Sequence, residues 1–284
     1  MVLVAPSPLV PDAATDDGTR SEVPGVPSGR DLLALLRGDH AARPSFDPGL
    51  AGGVRAWLED AAFETASVRA ERAGSLMLGA RQILGTATTH DTTDVAPRLV
   101  DRLVHALFRQ LVFGCRIEDP LGDGLDALRA AGDEETVRGV AALGGPARAA
   151  LGTTLDRHIA HLSALVPRFA PGWMPRTDDY VAIPLAGGAV VLHGVFDLLV
   201  GIPQSGTASL CALGLSTGGP WPRERRTLHF LALLELLRTG TPPFRVALLE
   251  SATGRYGVED ISEEHLRAMA AHVAGWLGRS DTCA

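Results

Sequence analysis

The chain has 284 residues, 46% of them hydrophobic and 21% charged, with a formal net charge of −7. That length and composition describe a globular protein with room for one large or two modest domains. No apolar run reaches the roughly 18 uncharged residues of a membrane span, and the acidic balance excludes a hold on nucleic acid by bulk electrostatics, leaving only a local basic face.

All 26 basic side chains are arginine, so chemistry that requires a lysine is closed to this chain. Cys115, Cys211 and Cys283 lie far apart with no CxxC pair, which suggests neither a disulfide framework nor a zinc cluster.

In chain order, residues 1–28 are rich in Pro, Ser, Asp, Gly and Thr without a hydrophobic period, which predicts a flexible tail. The opening "MVLVAPSPLVPDAATDDG" has no basic leader and is broken by prolines, so it does not read as a signal peptide, and a cytoplasmic protein is expected. Residues 29–170 read as a helical region. "GRDLLALLRG", "LAGGVRAWLEDAAFETA" and "APRLVDRLVHALFRQLVFG" place apolar residues at i, i+3, i+4 and i+7, and further helices follow in "GDGLDALRAAG", "DEETVRGVAAL" and "ARAALGTTLDRHIAHLSALV".

After the Pro/Gly-rich hinge "PRFAPGWMPRTDD" the texture changes, and 171–284 reads as an α/β core. "DYVAIPL", the turn "AGG" and "AVVLHGVFDLLVG" predict a β-hairpin. A third strand, "ASLCALGL", follows a turn at 203–206. Next come a helix in "RERRTLHFLALLELLRTG" starting near 223, a strand "FRVALLES", a turn "ATGRYG" and a last helix capped by Ser262 before Glu263 and Glu264. The expected order is β-β-β-α-β-α.

"GLSTG" (214–218) spells G-x-S-x-G, the nucleophile elbow of serine hydrolases, with Asp260 and His265 or His272 downstream as formal partners of Ser216. An elbow needs its helix to begin immediately after the serine, but Gly218, Gly219, Pro220 and Pro222 intervene, and no HGGG-like oxyanion loop is present. A strand-end or turn role for Ser216 is the better expectation.

The hairpin with "GVFDLLVG", the strand ending in "LSTG", the helix "RRTLHFLALLELL" and the strand "PPFRVALLES" together resemble the PD-(D/E)XK nuclease superfamily, in its RecB-type exonuclease branch. The resemblance covers about residues 175–277 and implies a restriction-endonuclease-type core with a mixed sheet. Gly194, Asp197, Leu198 and Gly201 match its G-x-x-D-L-v-x-G context, which puts Asp197 at the family's metal aspartate; Asp178 or Asp179 stands where an upstream acid is often found. Its D/E-x-K-T/S-G context keeps Thr217 and Gly218 but places Gly214 at the acid and Ser216 at the lysine. One aspartate and a neighbour would hold Mg²⁺ weakly or not at all, because this ion depends on convergent carboxylates or phosphates. Arginine stays protonated and is a poor proton acceptor.

These readings lead to a catalytically degenerate, nuclease-like protein without a cofactor, acting by binding a protein partner or nucleic acid in a regulatory or scaffold role, with no membrane association. Arg223, Arg225, Arg226 and Trp221 are the candidate binding residues, around the helix that borders the substrate groove in the resembled family. Two alternatives stand beside it. One is an active Mg²⁺-dependent nuclease in which Glu235 or Glu250 has taken over the missing acid; the other is a serine hydrolase using Ser216. Glu235 is expected on a polar helix face, and His158 and His161, three residues apart, as surface or helix-packing histidines.

Overall fold

Strands that are apolar on both sides are buried between two layers, and the centre of the sheet follows that pattern. Strands β4 (Cys211–Ser216) and β5 (Arg245–Glu250) alternate cleanly between two cores. Ala212, Val246 and Leu248 face one helical layer, while Cys211, Leu213, Leu215, Ala247 and Leu249 face another. The computed structural model describes residues 32–34, 36, 45–68, 75–85, 95–201, 209–219 and 221–279. The expected tail 1–28, the turn at 203–206 and Cys283 lie outside the described residues.

The protein has an α/β fold with a mixed sheet of six strands among the described residues. β2 (Arg176–Leu185) runs antiparallel along the full length of β3 (Val190–Val200), joined by the tight turn 186–188. The other edge of β3 is divided. β1 (Leu76–Leu78) pairs parallel with Val190–Leu192, and β4 pairs antiparallel with Leu198–Val200. Residues 193–197 of β3 therefore sit in a fork between β1 and β4. β5 is parallel to β4, and β6 (Arg255–Asp260) is antiparallel to β5.

Two strands and the one-turn helix Ala80–Ile83 are not foreseen by the sequence pattern. β1 is three residues long, too short to display a period of two. β6 begins within what reads as the turn "ATGRYG" and takes its second half; its half-exposed edge-strand pattern has no buried alternation to mark it. The observed order of the C-terminal part is thus β-β-β-α-β-β-α.

One face of the sheet carries α1 (Leu50–Val68), α6 (Trp221–Thr239) and α7 (Glu263–Arg279); the other carries α2 (Val95–Val112), α3 (Pro120–Ala130), α4 (Glu134–Ala141) and α5 (Gly145–Leu165). Packing contacts run across residue 170. Leu50, Val54 and Leu58 share a core with α6 and α7, and β1 joins the sheet.

α6 begins at Trp221, two residues earlier than the sequence suggests, because Pro222 is tolerated in a first turn. It is the central helix. Leu228 and Phe230 through Leu237 are all buried, since the sheet lies beneath it and α1 and α7 cover its back. Gly240, at φ +81°, ends it in a conformation that favours glycine.

Two glycines let α6 lie close on the sheet. A Cβ at Gly194 would come within 2.5 Å of Leu231 Cδ2, and one at Gly214 within 2.9 Å of Leu228 Cδ2. Both positions thus face α6.

Candidate functional site: a polar seam beside Asp197

α2 turns an apolar face, including Leu99, Leu103, Leu107 and Phe108, into its core. Beside that face, Asp101, His105 and Arg109 are spaced i, i+4 and i+8, so they form one row along the helix. Each meets a different strand or strand end. Thr217 Oγ1, just past β4, donates to Asp101 Oδ1 at 2.9 Å. His105 Nε2 lies 3.4 Å from Asp197 Oδ1 on β3. Arg109 Nη1 donates to Asp178 Oδ2 on β2 at 2.5 Å. The row closes the fork of the sheet with a polar seam.

Asp197 stands where the ladder between β3 and β4 stops, one residue beyond the pair Leu198↔Leu213. Its Oδ2 accepts the Leu215 N–H at 2.8 Å, so the carboxylate takes the place of the next backbone partner. The other oxygen faces His105, whose Nδ1–H donates to the Asp101 carbonyl at 2.8 Å. With both ring nitrogens facing acceptors, the imidazolium is the form that satisfies the site. Burial opposes that charge, but the hydrogen bond and attraction to Asp197, helped by Asp101, raise the His105 pKa to about 9. His105 and Asp197 are 28% and 25% exposed, so the pair is accessible at its rim but not freely hydrated.

Glu224, in the first turn of α6, feels this charge. Burial raises its pKa, and Asp197 and Asp101 push in the same direction against Arg223 and Arg81.

The remaining sequence candidates are held elsewhere. Asp179 is bound by Arg238 in a bidentate pair at 3.1 and 3.0 Å and by Arg176 at 3.0 Å, and it shares no partner with Asp197. Asp178 takes φ +51°, a conformation aspartate tolerates, and turns to α2 while Asp179 turns to α6. Arg225 is engaged by Glu259 at 3.0 and 2.8 Å. Arg226 rests against His272 at 3.4 Å, and Arg223 is half-buried. Trp221 packs against Gly257, with the Arg255 guanidinium 5.6 Å from its ring centroid.

Ser216 is buried, and its Oγ accepts from the N–H groups of Gly218 and Gly219 at 3.3 and 3.0 Å. Of its formal partners, Asp260 pairs with Arg245, His265 approaches Glu259 and His272 approaches the Ile83 carbonyl. No triad assembles around Ser216. Glu250 accepts from Thr253 at 2.6 Å in the turn after β5.

Glu235 corrects an expectation. It is 0% exposed rather than on a polar face, and the Arg238 Nε donates to its Oε2 at 2.8 Å. Burial raises its pKa, and Arg238 opposes the rise. Removing one member of a buried ion pair leaves an uncompensated charge. Arg238→Met is therefore expected to destabilise the protein by roughly 2–4 kcal/mol, read as a lower urea midpoint, because the buried Glu235 loses its guanidinium while Asp179 keeps only that of Arg176.

His158 is buried and His161 half-buried, both joined to the strand layer through Ser251. His158 Nδ1–H donates to Ser251 Oγ at 2.8 Å; that hydroxyl donates to the Ser216 carbonyl at 3.0 Å, and His161 Nδ1–H donates to the Ser251 carbonyl at 2.8 Å.

The seam does not suit Mg²⁺. Among the described residues, Asp197, Asp101 and Glu224 do not bring donor atoms within 4.8 Å of one another as a group of three. Gly214, at the position of the resembled family's second acid, carries no carboxylate and faces Leu228 rather than the seam. A hard octahedral cation needs convergent oxygens, which this arrangement withholds.

Sequence reading missed the α2 row. Its signal was present in "VDRLVHALFRQ", where three polar residues at four-residue spacing flank an apolar stripe.

Among known proteins, no family model matches the chain and no curated protein matches it.

Proposed function

We propose that the chain is a nuclease-like protein whose metal-site aspartate serves the fold, and that it acts by binding a protein partner in a regulatory or scaffold role. The observation that carries this reading is the double engagement of Asp197, with Oδ2 on the Leu215 N–H and Oδ1 facing the His105 imidazolium. Resemblance to the PD-(D/E)XK superfamily rests on Gly194, Asp197, Leu198 and Gly201. The same resemblance places Gly214 and Ser216 at the acid and the lysine.

A protein partner is favoured over nucleic acid by what surrounds the seam. Tyr180, Val195 and Met77, on β2, β3 and β1, are 54%, 46% and 45% exposed, and Tyr180 and Val195 are direct cross-strand neighbours. Exposed aromatic, methionine and aliphatic side chains of this kind fit the centre of a protein interface. Several arginines that could meet phosphate are instead spent on carboxylates: Arg225 on Glu259, Arg238 and Arg176 on Asp179, and Arg109 on Asp178.

Single- and double-stranded DNA incubated with the protein and Mg²⁺ or Mn²⁺ are expected to stay intact and unshifted on a gel. A photo-crosslinker at position 180 should form a discrete protein adduct in the source cell, and one at the exposed Phe63 should not. DNA cleavage that disappears in Asp197→Asn would overturn the reading in favour of a nuclease. Labelling of Ser216 by a fluorophosphonate would revive the hydrolase.

A further inference from the structure

Three side chains from three elements meet on the α6 face of the sheet, sharing no residue with the α2 seam. His229 lies on α6, Glu259 near the end of β6, and His265 in the first turn of α7. His229 Nε2 is 3.1 Å from Glu259 Oε2, and His265 Nε2 is 3.5 Å from Glu259 Oε1. One donor atom from each lies within 4.8 Å of the other two, and all three residues are partly buried. The imidazole rings stack, with centroids 4.8 Å apart and planes 19° apart, so a ring must turn for both in-plane Nε2 lone pairs to meet one ion.

We infer that His229, Glu259 and His265 form a binding site for a borderline divalent transition metal of the Zn²⁺ type, which would clamp α6, β6 and α7 together. Metal–ligand bonds of 2.0–2.1 Å in a tetrahedral site separate the ligand atoms by about 3.3–3.4 Å. The two measured nitrogen–oxygen separations, 3.1 Å to Oε2 and 3.5 Å to Oε1, are each close to that spacing, one on each carboxylate oxygen. Two imidazoles and one carboxylate select zinc, nickel or copper over Mg²⁺ or Ca²⁺, and three protein ligands leave a position for water.

Two contacts oppose the metal and define its cost. Arg225 holds both Glu259 oxygens, at 3.0 and 2.8 Å, and adds a positive charge beside the site. Each carboxylate oxygen carries a second lone pair, so ligation and the Arg225 contact can coexist. The Ser262 N–H reaches His265 Nδ1 at 3.3 Å, a long contact that ligation through Nε2 would surrender. Ligation through Nε2 requires the neutral His229 ring to carry its proton on Nδ1, so that the Nε2 contact with Glu259 is exchanged for a bond to the metal.

The test uses the full chain, stripped with EDTA, freed of chelator and titrated with Co²⁺ at neutral pH. The expected result is a saturable visible d–d absorption at one Co²⁺ per chain, displaced by Zn²⁺. His229→Ala and His265→Ala should each weaken it by at least about tenfold while far-UV circular dichroism is retained, and His193→Ala should leave it unchanged. Arg225→Gln should tighten it, because a competing cation is removed. Absence of a saturable band in the wild-type chain, or a band of equal affinity in both histidine variants, overturns the inference. The wild-type titration alone suffices if a variant fails to fold.

Discussion

Asp197→Ala is expected to destabilise the protein by about 3 kcal/mol, because it leaves the Leu215 N–H without its acceptor and the His105 imidazolium without its counter-ion. Asp197→Asn should cost less, since an amide oxygen can still accept from Leu215, but it too removes the charge that keeps His105 protonated. The pH dependence separates the two effects. In the wild type the His105 pKa is raised from 6.5 to about 9, so the folded state binds the proton more tightly than the unfolded chain. This contribution is fully present below about 6.5 and is lost as pH rises through about 9. Its size is on the order of 3 kcal/mol. Urea unfolding across pH 6–10 should show wild-type stability declining over that window, and both Asp197 variants should lack this decline.

The second large effect concerns Gly214 and Ser216, the positions that the proposed resemblance to a nuclease aligns with its acid and lysine. Gly214→Asp, alone or with Ser216→Lys, is expected to destabilise the chain by about 3 kcal/mol or more and to create no Mg²⁺-dependent cleavage. The steric part is modest. A Cβ at 214 meets the tip of Leu228 at 2.9 Å, and a leucine can give way by a few tenths of an ångström. The carboxylate is the larger cost, because it points into the apolar layer under α6 while Asp197 faces His105 on α2. At 216 a lysine would also remove the hydroxyl that holds the Gly218 and Gly219 N–H groups. A stable double variant that cleaves DNA with Mg²⁺ would show that positions 197, 214 and 216 converge after all.

Comparison of sequence and structure shows where local pattern is sufficient. α2 and the β2–β3 hairpin were legible because each has one face in the core and one in water, so period and burial coincide. α6 was found as a helix, but its surroundings were not. From Phe230 to Leu237 it is buried on every side, and in such a helix a glutamate looks like a surface residue until its arginine is placed beside it.

The candidate site was half legible. Asp197 stood out by its glycine and leucine context, whereas its partner His105 lies 92 residues earlier, in a helix whose docking across the fork no local pattern encodes. Likewise, alignment of "LGLSTG" fixes the order of residues along β4 but not which face each one takes. The side of the sheet occupied by Gly214 is decided by the approach of α6.

The most direct test of the account follows the His105 ring by NMR across pH 5–10, with and without Mg²⁺. A pKa of about 9 that Mg²⁺ does not move is expected, as befits an imidazolium bound to a structural aspartate. A ring that is neutral at pH 7, or a titration that Mg²⁺ displaces, would contradict it.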